Sequence, residues 1–285
     1  MINDLLSKSK TTISFEVFPP KKEEDFQTVF ATLDSLAKLE PDFMSCTYGA
    51  GGSKPKKTVE MASYIQNKLL IDTIAHLTCV GFKKEDLETN CELLKKEGIT
   101  NVLALRGDRP QYMTDEQFNN REFFYATDMV KYLKENTSFQ IAGACYPEKH
   151  YEADSFESDL AHLKEKTDSG VSFLITQMFF SNDMFYRFIE KAESAGITVP
   201  VCAGIMPITS AKQIGTSVTL SGSSVPKELA DIIANHGDDS DDMRKAGIDY
   251  SIRQILDLKE HGVDGIHIYT MNRIKTMTEI MGAIR

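Results

Sequence analysis

At 285 residues the chain is long enough for one large α/β barrel, which usually takes about 250 residues, or for two small domains. A formal net charge of −10, with 41% hydrophobic and 26% charged residues, is ordinary for a globular protein and argues against nucleic acid as a partner. No apolar run approaches the ~18 residues of a membrane span, and residues 1–10 carry no signal-peptide core. Five scattered cysteines without a Cys-x-x-Cys pair predict a reduced, cytoplasmic protein.

Apolar, β-rich runs alternate with amphipathic stretches along the whole chain. The first strand is expected over 13–18 and carries Glu16 within Ser-Phe-Glu-Val-Phe. A carboxylate in so apolar a strand is costly to bury charged unless it is paired or protonated, so it is either a structural ion-pair member or a general acid. A helix over 24–39 leads to a strand at 42–48 and then to the turn Thr47-Tyr48-Gly49-Ala50-Gly51-Gly52-Ser53-Lys54. That turn fits neither the Walker pattern nor Gly-x-Gly-x-x-Gly, but its backbone could approach a phosphate or a ring. Lys54, Lys56 and Lys57 then open the next helix (55–69), as a solvated helix start or as a landing site for an anion.

The third strand, 71–80, holds His76 and Cys79 at odd spacing, so the two face opposite ways, which argues against a shared metal. After a helix at 83–97, the strand at 101–107 runs into Arg106-Gly107-Asp108-Arg109-Pro110. Alternation places Val102, Ala104, Arg106 and Asp108 on one face, leading to an Arg/Asp pair, while Leu103 and Leu105 are expected against helices. A helix at 122–135 precedes the strand 139–147, which ends Tyr146-Pro147-Glu148-Lys149-His150. Ser155 and Ser181 are plausible caps for helices at 155–168 and 181–195. Between those helices, the strand 173–179 ends Thr176-Gln177-Met178-Phe179-Phe180 and contains no lysine, which weakens a Schiff-base reading; an uncharged Gln suits a hydrogen bond to a heterocycle or amide. A seventh strand at 199–206 is followed by helices at 225–235 and 241–261, separated by the acidic run 238–242, which reads as a solvated loop and helix start. The eighth strand, 265–270, leads through Asn272 and Arg273 to a final helix.

Eight strands alternating with helices imply parallel pairing through right-handed crossovers, hence an α/β fold and a single (β/α)8 TIM barrel spanning 1–285 as one catalytic domain. In such a barrel the ligand lies at the carboxyl ends of the strands. Those ends supply one embedded carboxylate, arginine, aspartate, glutamine, tyrosines and glycines, with no triad and no credible set of metal ligands. Such a lining suits a large planar cofactor.

Ser14-Phe15-Glu16 before Phe18-Pro19-Pro20, Thr47-Tyr48-Gly49-Ala50, His76-Leu77-Thr78-Cys79, Ala104-Leu105-Arg106-Gly107-Asp108, Tyr146-Pro147-Glu148-x-His150, Thr176-Gln177 and Tyr269-Thr270-x-Asn272-Arg273 occur in one order. In that order, from about residue 12 to the C-terminus, they resemble the methylenetetrahydrofolate reductases, in their short bacterial form. The resemblance implies a (β/α)8 flavoprotein that holds FAD non-covalently. It further implies use of NADH or NADPH to reduce 5,10-methylenetetrahydrofolate to 5-methyltetrahydrofolate, a methyl source for methionine synthesis. By position, Glu16 matches the catalytic acid, and Asp108 the aspartate that lies by the flavin and contacts the folate pterin. Thr47, Tyr48, Ala50, His76, Arg106, Gly107, Ala126, Tyr146, His150, Ala153, Asp159 and Lys166 match contacts to FAD or its nicotinamide partner. Gln177, Gln213 and Arg273 match folate contacts. His162 and Glu165 stand where other members have Asn and Arg as FAD contacts. With no Rossmann fingerprint, the nicotinamide is expected to stack on the flavin in a ping-pong cycle. A homo-oligomer is expected. The alternatives are a pterin-binding methyltransferase barrel, with zinc on His76 and some of Cys79, Cys145 and Cys202, and a non-catalytic flavin-binding protein. A yellow colour separates the first, and the need for Glu16 separates the second.

Overall fold

The structure is a computed structural model that describes residues 2–7, 10–20, 22–48 and 55–285. Eight parallel strands close into a barrel in sequence order: β1 (Thr12–Val17), β2 (Phe43–Cys46), β3 (Thr73–Thr78), β4 (Asn101–Leu105), β5 (Gln140–Cys145), β6 (Phe173–Thr176), β7 (Val201–Ile205) and β8 (Gly265–Tyr269). All eight expected strands are present. The barrel shuts where β1 pairs with β8, from Thr12 opposite Gly265 to Glu16 opposite Tyr269. Each strand is buried on both faces, as parallel sheets covered by helices must be.

Side-chain alternation sorts the strands into two cores. Outward residues such as Phe15, Val17, Met44, Leu77, Val102 and Ala104 pack against the surrounding helices in the larger cluster. Those helices include α2 (Phe26–Ala37), α3 (Pro55–Ser63), α4 (Lys84–Lys96), α6 (Ala126–Asn136), α7 (Phe156–Asp168), α8 (Asn182–Ser194) and α12 (Ile274–Ile284). Inward residues Phe43, Ile74, Leu103, Phe173, Ile175 and Cys202 fill the lower interior. Ile2 and Leu6 of the short helix α1 (Ile2–Leu6) plug this interior from below. Burying a side chain of this size contributes about 1.5–3 kcal/mol, so the plug is a substantial part of the interior. The polar reading of the N-terminus does not anticipate it. The face assignment of β4 is also corrected: Val102 and Ala104 meet the helices, and Leu103 looks into the barrel.

Helix boundaries follow local chemistry. The Ser155 hydroxyl accepts from the Ser158 amide and caps α7, whereas Ser181 makes no such side-chain bond at α8. The acidic run supplies Asp239, whose carboxylate accepts from the amides of Asp241 and Asp242 to start α11 (Ser240–Glu260). Two further short helices, α5 (Asp115–Asn119) and α9 (Ala211–Ser221), together with α10 (Lys227–His236), complete the shell. Helices α9 to α11 cover a third apolar cluster, around Met178, Phe180, Met206, Ile208 and Leu229. Among the described residues, no helix is long and apolar enough to cross a membrane.

Candidate active site

Two neighbouring regions at the carboxyl side of the barrel gather most of the expected site residues. The first is a polar column on the inward faces of β1, β2, β3 and β8. Glu16 is 7% exposed, and its side-chain Oε2 stands 3.4 Å from His76 Nε2 and 3.6 Å from His267 Nε2. Glu16 is therefore not paired with an arginine; two imidazoles flank it. His76 Nε2 has no hydrogen-bond partner in spite of this proximity. Burial pushes His76 down to about 4, against the opposing pull of Glu16, so the ring is neutral at physiological pH. One layer deeper, His267 is fully buried, with Nδ1 2.7 Å from Ser14 Oγ and Nε2 3.2 Å from Ser45 Oγ. The Tyr269 hydroxyl donates to the Thr176 carbonyl at 2.7 Å, and burial holds that phenol well above its usual range. A Cβ at Gly204 would come within 2.4 Å of that same carbonyl, so β7 needs a glycine where it passes the column.

The second region is a cavity of about 370 Å³ between the ends of β4 and β5 and the starts of α6 and α7. Arg106, Ala126, Tyr146, His150, Ala153, Asp159, His162 and Lys166 all line it. Small residues, Ala104, Ala126, Ala144 and Ala153, leave the room. Lys166 Nζ donates to the Ala144 carbonyl at 2.5 Å, and burial pulls its ammonium below the usual lysine range. His150 is also lowered, first by burial and then by the Arg106 guanidinium; its amide donates to Asp159 Oδ2 at 2.9 Å. The ring of His150 lies edge-on to Tyr146 and stacked on Tyr151, each 4.6 Å away between centroids. The first turn of α6, Ala126 and Thr127, borders the cavity with amides that a helix leaves without internal partners.

Arg106 does not pair with Asp108. Its guanidinium forms a two-pronged bridge to Glu152, with Nη2 3.0 Å from Oε1, and Tyr151 donates to the same oxygen at 3.0 Å. This bridge holds the Glu152 carboxyl down at about 2. Sequence reasoning did not single out Glu152, although it lies two residues beyond His150. Asp108 is exposed and forms no hydrogen bond or ion pair among the described residues. Gly107 adopts φ +82, and a Cβ there would meet Thr78 and Val80 at 3.0 Å, so this turn requires glycine for its own backbone.

The remaining expected residues are spread around the mouth. Thr47 and Tyr48 follow β2; the Tyr48 ring packs edge-on to Phe82, and burial raises its phenol to about 12. Ala50, Gly49 and Lys54 lie outside the described residues. Glu165 is not at the cavity: its side chain is 58% exposed and bridges to Lys131 at 2.8 Å on the surface. Gln177 is half-buried, its amide oxygen accepting from the Met178 amide. Gln213 accepts from Thr209 through both amide and hydroxyl and donates to Pro207 O, while Arg273 donates to the Thr209 hydroxyl. These last two residues therefore form one small cluster beside β7. Cys79 and Cys145 pack on the helix side and Cys202 in the lower interior, away from His76 opposite Glu16. Among the described residues no group of three or more His, Cys, Asp or Glu is placed to hold a metal.

A sequence model described as methylenetetrahydrofolate reductase matches residues 1–285. The 5,10-methylenetetrahydrofolate reductase of Escherichia coli is 34% identical over 266 residues, which cover 93% of this chain and 88% of that protein. Methylenetetrahydrofolate reductase (NADH) 1 of Arabidopsis thaliana is also 34% identical, over 98% of this chain and 49% of its own length. The chain thus spans about half the length of the plant relatives it matches. Among solved structures, an uncharacterized Clostridium thermocellum protein that binds two copies of 5-methyl-5,6,7,8-tetrahydrofolic acid superposes with a TM-score of 0.64. That superposition covers 99% of this chain and 96% of the other at 13% identity, a likeness of fold alone. With the match running through every strand end that builds the column and the cavity, this chain belongs to the methylenetetrahydrofolate reductase family.

Proposed function

We propose that the protein reduces 5,10-methylenetetrahydrofolate to 5-methyltetrahydrofolate, with FAD held non-covalently and NADH or NADPH as reductant in a ping-pong cycle. The observation that carries this reading is Glu16, buried between two imidazoles inside the barrel beside a cavity that offers cations, free amides and small residues. The donor set fits a dinucleotide. Arg106, Lys166 and His150 supply cationic or N–H groups, the α6 first turn supplies amides for phosphate, and the alanines leave space for rings. When bound, a flavin supplies hydride transfer, which no side chain of this protein provides.

The chain's own residues then have separable tasks. Opening the five-membered ring of the folate requires a proton on its leaving nitrogen, and Glu16 is the acid that holds it at Oε2. His76, neutral beside it, adds no positive charge that would draw the proton away. Asp108, exposed and without a partner among the described residues, is left to contact the pterin, and Gln177 hydrogen-bonds it from just past β6. Gln213 and Arg273, held through Thr209, bind the rest of the folate. The test is the visible spectrum of the purified protein. A flavin band should bleach on anaerobic addition of NADH and return on addition of methylenetetrahydrofolate; a colourless preparation that binds no added FAD refutes the reading.

A further inference from the structure

We infer that His267 is a positioning residue for Glu16, held by Ser14 in the tautomer that keeps the Glu16 carboxyl a proton donor. The inference rests on the reading of Glu16 as the acid. Its geometry comes from one chain of atoms in the barrel interior. Ser14 Oγ lies 3.3 Å from the Ile266 carbonyl and 2.7 Å from His267 Nδ1. A hydroxyl has one proton. Given to the carbonyl, which can only accept, it leaves the Ser14 oxygen to accept from Nδ1–H. Which nitrogen of an imidazole carries the proton is set by the partner of the other, so Nε2 is bare. That bare nitrogen faces Ser45 Oγ at 3.2 Å and Glu16 Oε2 at 3.6 Å.

The consequence falls on the carboxyl. Among the described residues no N–H or O–H donates to a side-chain oxygen of Glu16, and the bare His267 Nε2, its one lone pair turned to the Ser45 hydroxyl, offers a carboxylate no N–H. The ring cannot turn away. It is fully buried, near-parallel to Phe43 at 6.1 Å, and edge-on to Tyr269 at 5.7 Å. The titratable groups around Glu16 are Cys46 on β2, His76 on β3, and Tyr269 and His267 on β8. None of these is a fixed cation.

The experiment uses the FAD-loaded protein and Ser14→Ala. Losing the hydroxyl frees the ring to carry its proton on Nε2 and to donate to a carboxylate. The folate half-reaction should then slow by about tenfold at neutral pH, and the pH above which it declines should fall by about one unit. Bleaching by NADH should stay within about twofold, since that half-reaction needs no acid. Nitrogen-15 NMR of the unsubstituted protein should show His267 protonated on Nδ1, a measurement that does not depend on the variant folding. A His267 protonated on Nε2, or an unmoved pH profile in a flavinated Ser14→Ala protein, overturns the inference. Glu16→Gln run in parallel separates the causes. If it abolishes folate reduction while Ser14→Ala changes nothing, only the role of His267 falls. If Glu16→Gln keeps folate reduction, the acid reading falls and this inference with it.

Discussion

The column around Glu16 and the cavity beside it are built from the same barrel but on opposite principles. Column residues sit within strands, with backbone fixed on both sides by ladder pairing, and their polar atoms meet other interior side chains. Cavity residues sit on strand ends and on the first turns of helices, and their charges already have protein partners: Arg106 has Glu152, Lys166 has Ala144 O, and Asp159 has the His150 amide. The difference teaches where precision is needed. A proton donor must hold one orientation, whereas a binding surface must exchange its partners for a ligand's. Damage to the column should therefore remove a chemical step, and damage to the cavity should remove affinity.

The largest expected effect tests the column. Glu16→Gln keeps shape but cannot deliver a proton, so reoxidation by methylenetetrahydrofolate should fall about a hundredfold to ten-thousandfold. Stopped-flow bleaching of the same sample by NADH should stay within about tenfold of the unmodified protein. Equal losses in both halves would erase the distinction between the two regions.

Next comes the cost of keeping His76 neutral. Its folded value, about 4, lies below the ordinary 6.5, so the unfolded chain takes up a proton first as pH falls. Stability is whole above about pH 6.5 and is lost between there and about pH 4, by on the order of 3 kcal/mol. Urea titrations of the wild type and of His76→Gln should show a shallower acid slope in the variant; parallel slopes would mean that the column is wet.

Gly107 marks the border between the regions. A side chain at φ +82, pressed on Thr78 and Val80, should cost about 2 kcal/mol, so Gly107→Val lowers Tm before any cofactor is added. A Tm unchanged in the apoprotein would put the glycine's role on the ligand instead. Smaller still, Lys166→Met should weaken FAD binding by about tenfold, the loss of one charged hydrogen-bond donor. Once saturated with FAD, that variant should open the folate ring within about twofold of the unmodified protein. The smallest effect is expected at the surface. Lys57 already donates to the Pro20 carbonyl at 3.1 Å, which leaves Lys56, exposed at the start of α3, as the better candidate to meet a folate's glutamate tail. Lys56→Gln should raise KM for a polyglutamylated folate about twofold and leave the monoglutamate unchanged.

Much of this was legible in the residues, and the misses have physical causes. The strands announce themselves as apolar runs, one of which gives way directly to charge at Leu105-Arg106, and eight such apolar runs alternating with helices fix a barrel. Inside a strand buried on both faces, alternation carries no sign: Val102 and Leu103 are equally apolar, and the reading of which one faces the helices came out inverted. His267, Ser14 and Ser45 escaped for a related reason. Mid-strand hydroxyls look like ordinary β-formers until three strands bring them together. Helix α9, with its Gly215, Thr216, Ser217, Val218 and Thr219, has weak intrinsic propensity and is placed by the apolar cluster it covers. Glu165 faces solvent from one side of α7 while Lys166, its neighbour, faces the cavity; adjacent helical positions point about 100° apart, and a family position alone does not say which side a substituted residue will take.

The seam between β1 and β8 has a consequence for how the molecule is made. Asn272, in a left-handed conformation at φ 55, accepts from the Phe18 amide at 3.1 Å and donates to the Phe18 carbonyl at 2.9 Å, which ties the two strand ends together. The contacts it clasps, Ser14 to His267 among them, join residues 253 positions apart. Loops of that length close late, after local helices and adjacent strand pairs have formed. Until β8 docks, β1 and β7 are raw sheet edges, open to pairing with another chain. On this account the proposed proton donor is the last part of the enzyme to come into being: the histidine beside it arrives with the final strand, so a chain that has not closed has a Glu16 with no partner from β8.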